Sequence, residues 1–143
     1  MPKPPFFSQT YPFSCVPACL RMVLAALKYE ISEPELRSLC ECDKDGTLPS
    51  KAVNAAITCG FDAYQANLTY EELTEFISQN ITPIVYMRVS EGVSYSHAVF
   101  VYKISKRKIH VLDPENQERE FEISSFVENW SRGLTIIIEK KTL

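Results

Sequence analysis

The apolar residues of this chain change their spacing halfway along, and that change limits what the chain can fold into. In the first half they recur at helical intervals. Cys19, Met22, Val23, Ala26 and Leu27 form one such stripe and predict a helix from about Val16 to Tyr29. Pro17 suits its first turn, where the missing N–H is no loss. "SEPELRSLC" opens with a capping serine, Ser32, then a proline and two acids, and predicts a second helix. "LPSKAVNAAITCG" predicts a third, closed by Gly60. "TYEELTEFISQ" predicts a fourth, with Thr69 and Glu72 at capping-box spacing. In the second half the apolar residues gather in short β-branched runs. "TPIVYMRV", "HAVFVYKI", "KIHVLD", "REFEI" and "LTIIIE" read as strands, with a polar turn around Lys106 and a short helix at "SSFVENW". Helices first and strands second describe an α+β fold, an N-terminal helical half packed on a C-terminal antiparallel sheet. No Gly- or Pro-rich linker interrupts it, so residues 1–143 are expected to form one domain.

The bulk properties narrow the function. A length of 143 residues suits a single domain, and 45% hydrophobic residues suffice for a core. A net charge of −3 provides no field to gather nucleic acid or anionic membrane. The one basic cluster, "KRK" at 106–108, reads as a solvated turn. "MPKPPFFSQ" lacks the apolar stretch of a signal peptide, and "LTIII" is far too short to span a bilayer. A soluble, cytoplasmic protein is expected. Five cysteines without a secretion signal point to reduced thiols rather than a disulfide framework.

One cysteine stands apart. Cys15 sits where a loop becomes a helix, six residues after Gln9. A helix N-terminus presents unpaired N–H groups and positive potential, which stabilise a thiolate. A thiol nucleophile needs a base, and only His97 and His110 are available. If the hairpin turns near Lys106, Asp113 falls opposite His97 or at a diagonal neighbour. Pro114 then ends the strand just past the aspartate. These residues have complementary roles. Cys15 attacks, His97 acts as base and acid, and Asp113 holds the imidazole's tautomer. The Cys15 N–H and the Gln9 side-chain amide serve as oxyanion donors.

The remaining cysteines read differently. Cys19 lies one turn after Cys15 on the apolar stripe and reads as core. Cys40, Cys42 and Cys59 end helices. Their spacings are not those of common zinc knuckles, and a metal would quench the nucleophile, so no metal site is expected. No Cys-x-x-Cys redox pair is present. The chemistry requires no cofactor.

"QTYPFSCVPACLRMVLAALKYEISEPELRSLC", "DKDGT" at 43–47, "SHAVFVYK", "VLDP" and the closing "SSFVENWSRGLTIII" together resemble the bacteriocin-processing cysteine peptidases. These are papain-like enzymes that remove double-glycine leaders, and the likeness covers nearly the whole chain. The resemblance places Cys15 on the family nucleophile, Gln9 on the oxyanion glutamine, His97 on the base and Asp113 on the orienting acid. It implies a papain-like fold, cleavage through an acyl-enzyme, and Gly-Gly before the scissile bond. It also implies a leader-bearing peptide precursor as substrate, and export machinery not encoded here. Familiar members precede an exporter's membrane helices, so a stand-alone member is expected. One departure is Val16, where the family commonly has glycine, and its β-branched side chain is expected to narrow the space beside the thiol.

Two other classes fit the same residues. A non-catalytic peptide-binding domain would keep the cleft without turnover. A thiol acyltransferase or other amidase would pass the acyl group to a different acceptor.

Overall fold

The computed structural model describes residues 3–88 and 96–142. The elements follow the order α1 (Cys15–Ala26), α2 (Glu33–Leu39), α3 (Pro49–Thr58), β1 (Phe61–Asn67), α4 (Tyr70–Ser78), β2 (Ile84–Arg88), β3 (Ser96–Ile104), β4 (Lys108–Asp113), β5 (Gln117–Glu122), α5 (Ile123–Asn129) and β6 (Trp130–Lys140). The strands form one sheet in the order β1-β6-β2-β3-β4-β5, and every neighbouring pair is antiparallel. This is the α+β arrangement expected from the sequence, with one addition. Strand β1 was not expected within the helical half. It lies at the sheet edge and pairs with β6 from Phe61↔Lys140 to Asn67↔Leu134.

The sheet is covered on both faces, because each buries its own apolar set. Ala98 and Phe100 of β3 face a core shared with Leu20, Val23 and Leu24 of α1, Leu36 of α2 and Ala55 of α3. Val99 and Val101 face the other way, toward Leu73 of α4 and Phe126 of α5. This period-2 alternation decides which side of the sheet each strand residue serves.

Helix ends follow local chemistry. Ser32 accepts from the Glu35 N–H (3.3 Å) and starts α2. Thr69 and Glu72 form the expected reciprocal cap on α4. Helix α1 stops at Ala26, short of the expected Tyr29. Lys28 turns into the left-handed region (φ 70°), and the Tyr29 N–H reaches back to the Leu24 carbonyl (2.8 Å), closing a Schellman motif without glycine.

One glycine is indispensable. Gly133 has φ 69°, and its N-terminal neighbour Arg132 is also left-handed at 50°. A Cβ on Gly133 would lie 2.1 Å from the Leu68 carbonyl oxygen, which is backbone and cannot swing away. Gly133→Ala is therefore expected to cost about 2 kcal/mol or more, the scale of overpacking combined with a strained dihedral. Urea denaturation would read this as a lowered midpoint.

Candidate active site

The site lies where the N-terminus of α1 meets the sheet at the start of β3 and the end of β4. Helix α1 begins at Cys15 itself, one residue earlier than expected. The residue before it, Ser14, is fully buried and does not cap the helix. Its hydroxyl instead donates to the Tyr11 carbonyl (3.1 Å) and accepts from the Tyr11 N–H (3.0 Å). Pro17 has no N–H and the Ala18 N–H bonds the Ser14 carbonyl (3.2 Å), so the first-turn N–H groups left without a side-chain cap are those of Cys15 and Val16.

Strand pairing brings His97 and Asp113 together. Phe100 pairs with Leu112, so Asp113 is level with Val99, and His97 is the next residue along that face. The diagonal relation expected from the hairpin is the one observed. His97 Nε2 lies 2.6 Å from Asp113 Oδ1, and Asp113 is wholly buried. That leaves Nδ1 for the thiol, and His97 also hydrogen-bonds Cys15. Burial works against a charged imidazole. The hydrogen bonds to Asp113 and Cys15, with the negative charge at each, outweigh burial and raise His97 to about 10. Burial alone would raise the Asp113 carboxyl. Hydrogen bonds from His97, the Glu115 N–H and Asn116 reverse that and hold it well below the usual carboxylate range.

Gln9 is tied through its backbone to the residue after Asp113. Its backbone N–H donates to the Pro114 carbonyl (2.9 Å), so the residue that ends β4 also anchors the loop before α1. The next residue, Thr10, donates its N–H to Glu33 Oε1 (3.0 Å), and Glu33 is buried and paired with Arg37. The Gln9 Nε2 donates to the Tyr11 carbonyl (2.7 Å), while Oε1 is buried without a hydrogen-bond partner. An amide nitrogen carries two donors, so a second N–H remains beyond the bond to Tyr11.

The other cysteines occupy different surroundings. Cys19 is fully buried, its Sγ donating to the Ala98 carbonyl (3.4 Å), and burial pushes its thiol up. Burial pushes Cys40 up to about 12 and also raises Cys42. Val16, the residue after the thiol, is packed rather than exposed. It is 3% exposed and belongs to the core under α1, against which Cys15 also packs. His110 turns away, bonded to Ser105 Oγ (3.0 Å) and 3.5 Å from Glu120.

A cavity of about 290 Å³ opens beside the imidazole, walled by Met87, Val99, Asp113, Arg119 and Phe121. A larger groove of about 980 Å³ runs along Phe7, Arg21 and Lys28, away from the thiol. Sequence reasoning missed Arg119, whose Nη1 lies 3.1 Å from Asp113 Oδ2. The available signal was the alternation in "REFEI", which puts Arg119 and Phe121 on one face of β5.

Known proteins share this architecture. The peptidase domain of Streptococcus ComA, a bi-functional ABC transporter involved in a quorum sensing pathway, superposes with a TM-score of 0.84 at 23% identity, covering 94% of this chain and 97% of that one. A double glycine motif protease from an AMS/PCAT transporter, in complex with its leader peptide, gives 0.81 at 20% identity, covering 97% and 93%. The fold is thus the papain-like peptidase fold expected from the resemblance. In sequence, the chain is 28% identical over 136 residues to the mesentericin-Y105 transport/processing ATP-binding protein MesD of Leuconostoc mesenteroides, covering 93% of the chain. It is 31% identical over 117 residues to the lactococcin-G-processing and transport ATP-binding protein LagD of Lactococcus lactis subsp. lactis, covering 82%. It spans only 18% and 16% of those relatives' lengths. The profile of the Peptidase C39 family matches residues 3–142, and the chain belongs to that family.

Proposed function

We propose that this chain is a cysteine peptidase that works through a Cys15–His97–Asp113 triad and cleaves after Gly-Gly in a leader peptide. The observation that carries the reading is the placement of His97. Its Nε2 is held by a buried carboxylate at 2.6 Å, and it hydrogen-bonds the thiol at a helix N-terminus. Cys15 gives its thiol proton to His97 Nδ1, and its sulfur attacks the scissile carbonyl carbon, so that a C–S bond forms as the C=O π bond opens to an oxyanion. The oxyanion accepts hydrogen bonds from the Cys15 N–H and the Gln9 amide. His97 Nδ1 gives its proton to the leaving nitrogen as the C–N bond breaks. His97 then takes a proton from water as the water oxygen bonds the acyl carbon, and returns it to the Cys15 sulfur as the C–S bond breaks, releasing the peptide acid, which ionises to a carboxylate, and the free thiol.

The substrate class rests on relatives named for processing and transport of bacteriocins and on a structural neighbour that holds a leader peptide. A leader-bearing precursor in the cytoplasm, delivered to export machinery, fits those names. Glycine before the bond would let substrate backbone enter a slot with no room for a Cβ. The test is a peptide library varied at the two positions before the bond, read by mass spectrometry. Replacing the glycine next to the bond by alanine should lower kcat/KM about tenfold or more. Tolerance within about threefold would contradict a glycine slot. Adding free amines to the same assay separates hydrolysis from acyl transfer.

Gln9→Ala should leave KM nearly unchanged and cut turnover about 10²-fold, the scale of one oxyanion donor. Single-turnover kinetics checks this, and unchanged turnover would remove Gln9 from the site.

A further inference from the structure

We infer that Arg119 is a positioning residue for the triad, holding Asp113 from behind and moderating how tightly His97 keeps its proton. The inference rests on the triad reading above.

Asp113 is wholly buried and its two oxygens are divided between two tasks. Oδ1 faces His97 Nε2 (2.6 Å) and also accepts from the Glu115 N–H (2.9 Å). Oδ2 accepts from Asn116 Nδ2 (3.2 Å) and Arg119 Nη1 (3.1 Å). The carboxylate is therefore a bridge between one titratable cation and one permanent cation. Arginine keeps its charge across the working pH range, and here one nitrogen, Nη1, holds Oδ2. With Oδ2 occupied by Arg119 and Asn116, Oδ1 is the oxygen left to the imidazole and the Glu115 N–H.

Arg119 is itself built into place. It lies on β5, where Arg119 pairs with Val111, so its side chain shares the face of Asp113 and the cavity beside His97. Its guanidinium lies over the Phe121 ring, with Cζ 4.8 Å from the centroid. Strand β5 is tied to the N-terminal segment through Glu118, which bonds Lys3 and Tyr102.

The electrostatic consequence has a sign. A second positive charge on Asp113 offsets part of the field that His97 feels. Removing it while keeping a hydrogen bond should make the imidazole hold its proton more tightly. A histidine that is too basic is a poorer acid for the leaving amine. Among the described residues, the charged and titratable groups around the pair include Cys15 and Cys19 from α1, Arg88 from β2 across the cavity, Glu115 after β4 (4.0 Å from His97 Nδ1) and Arg119.

The experiment uses Arg119→Gln, which keeps a donor but no charge, and Arg119→Lys, which keeps the charge. NMR titration of the His97 ring nitrogens is run on a Cys15→Ser background, which removes the thiolate's contribution. In Arg119→Gln the His97 midpoint should rise by about half a unit or more, and Arg119→Lys should bring it back. With Cys15 intact, Arg119→Gln should lower kcat roughly tenfold with KM within about twofold, the scale of a misaligned catalytic pair. An unchanged or lowered midpoint in Arg119→Gln overturns the inference. The titration needs no substrate, so absence of peptidase activity in the unaltered chain would count against the proposed function while the titration still judges Arg119.

Discussion

Cys15→Ser is expected to fold like the unaltered chain and to lose peptidase turnover by about 10⁴-fold or more. The change is nearly isosteric at a half-buried position, so the urea midpoint should stay put. The loss is chemical, because a serine hydroxyl stays protonated where a thiol beside an imidazole can ionise. A companion reading comes from limited iodoacetamide labelling near pH 6. Burial raises the thiols of Cys19, Cys40 and Cys42, which leaves them protonated, so Cys15 should be alkylated first. Earlier modification of Cys19 or Cys40 would assign the nucleophile elsewhere.

His97→Ala is expected to abolish turnover, since neither the thiol nor the leaving amine then has a proton partner. It should also change how stability depends on pH. The folded chain holds the His97 proton up to about 10, whereas an unfolded imidazole releases it near about 6.5. The stability this contributes is fully present below about 6.5 and is lost as pH climbs toward 10. Asp113 acts in the other direction. Its depressed carboxyl contributes above about 3.9, the unfolded value, and loses that contribution as pH falls below it. Thermal unfolding of the unaltered chain should therefore weaken between pH 6.5 and 10, and His97→Ala should flatten that slope. An equal slope in both proteins would show that His97 carries no raised affinity for its proton.

The parts of this fold that were legible in the sequence are those set by local chemistry. Ser32 and the Thr69–Glu72 pair cap helices through their own side chains, so α2 and α4 could be read directly. Strand β1 could not. "FDAYQAN" carries Asp, Asn and two alanines, which are depleted in strands, and its ladder with β6 makes it one. The candidate site divides the same way. The His97–Asp113 meeting followed from the turn near Lys106 and the parity of two strands. The register shift between Val101 and Lys103 left no mark in the sequence, nor did the Gln9–Pro114 backbone bond that seats the loop. Arg119 was hidden for a similar reason. An arginine on a charged edge strand looks solvated until β5 is placed against β4.

The most direct measurement is mass spectrometry of the chain mixed with a peptide whose leader ends in Gly-Gly, quenched in acid during the first turnover. An acyl adduct that maps to Cys15 is expected, followed by a released leader ending in Gly-Gly, with both absent in Cys15→Ser. An adduct on another cysteine, or cleavage that persists in Cys15→Ser, would contradict that expectation.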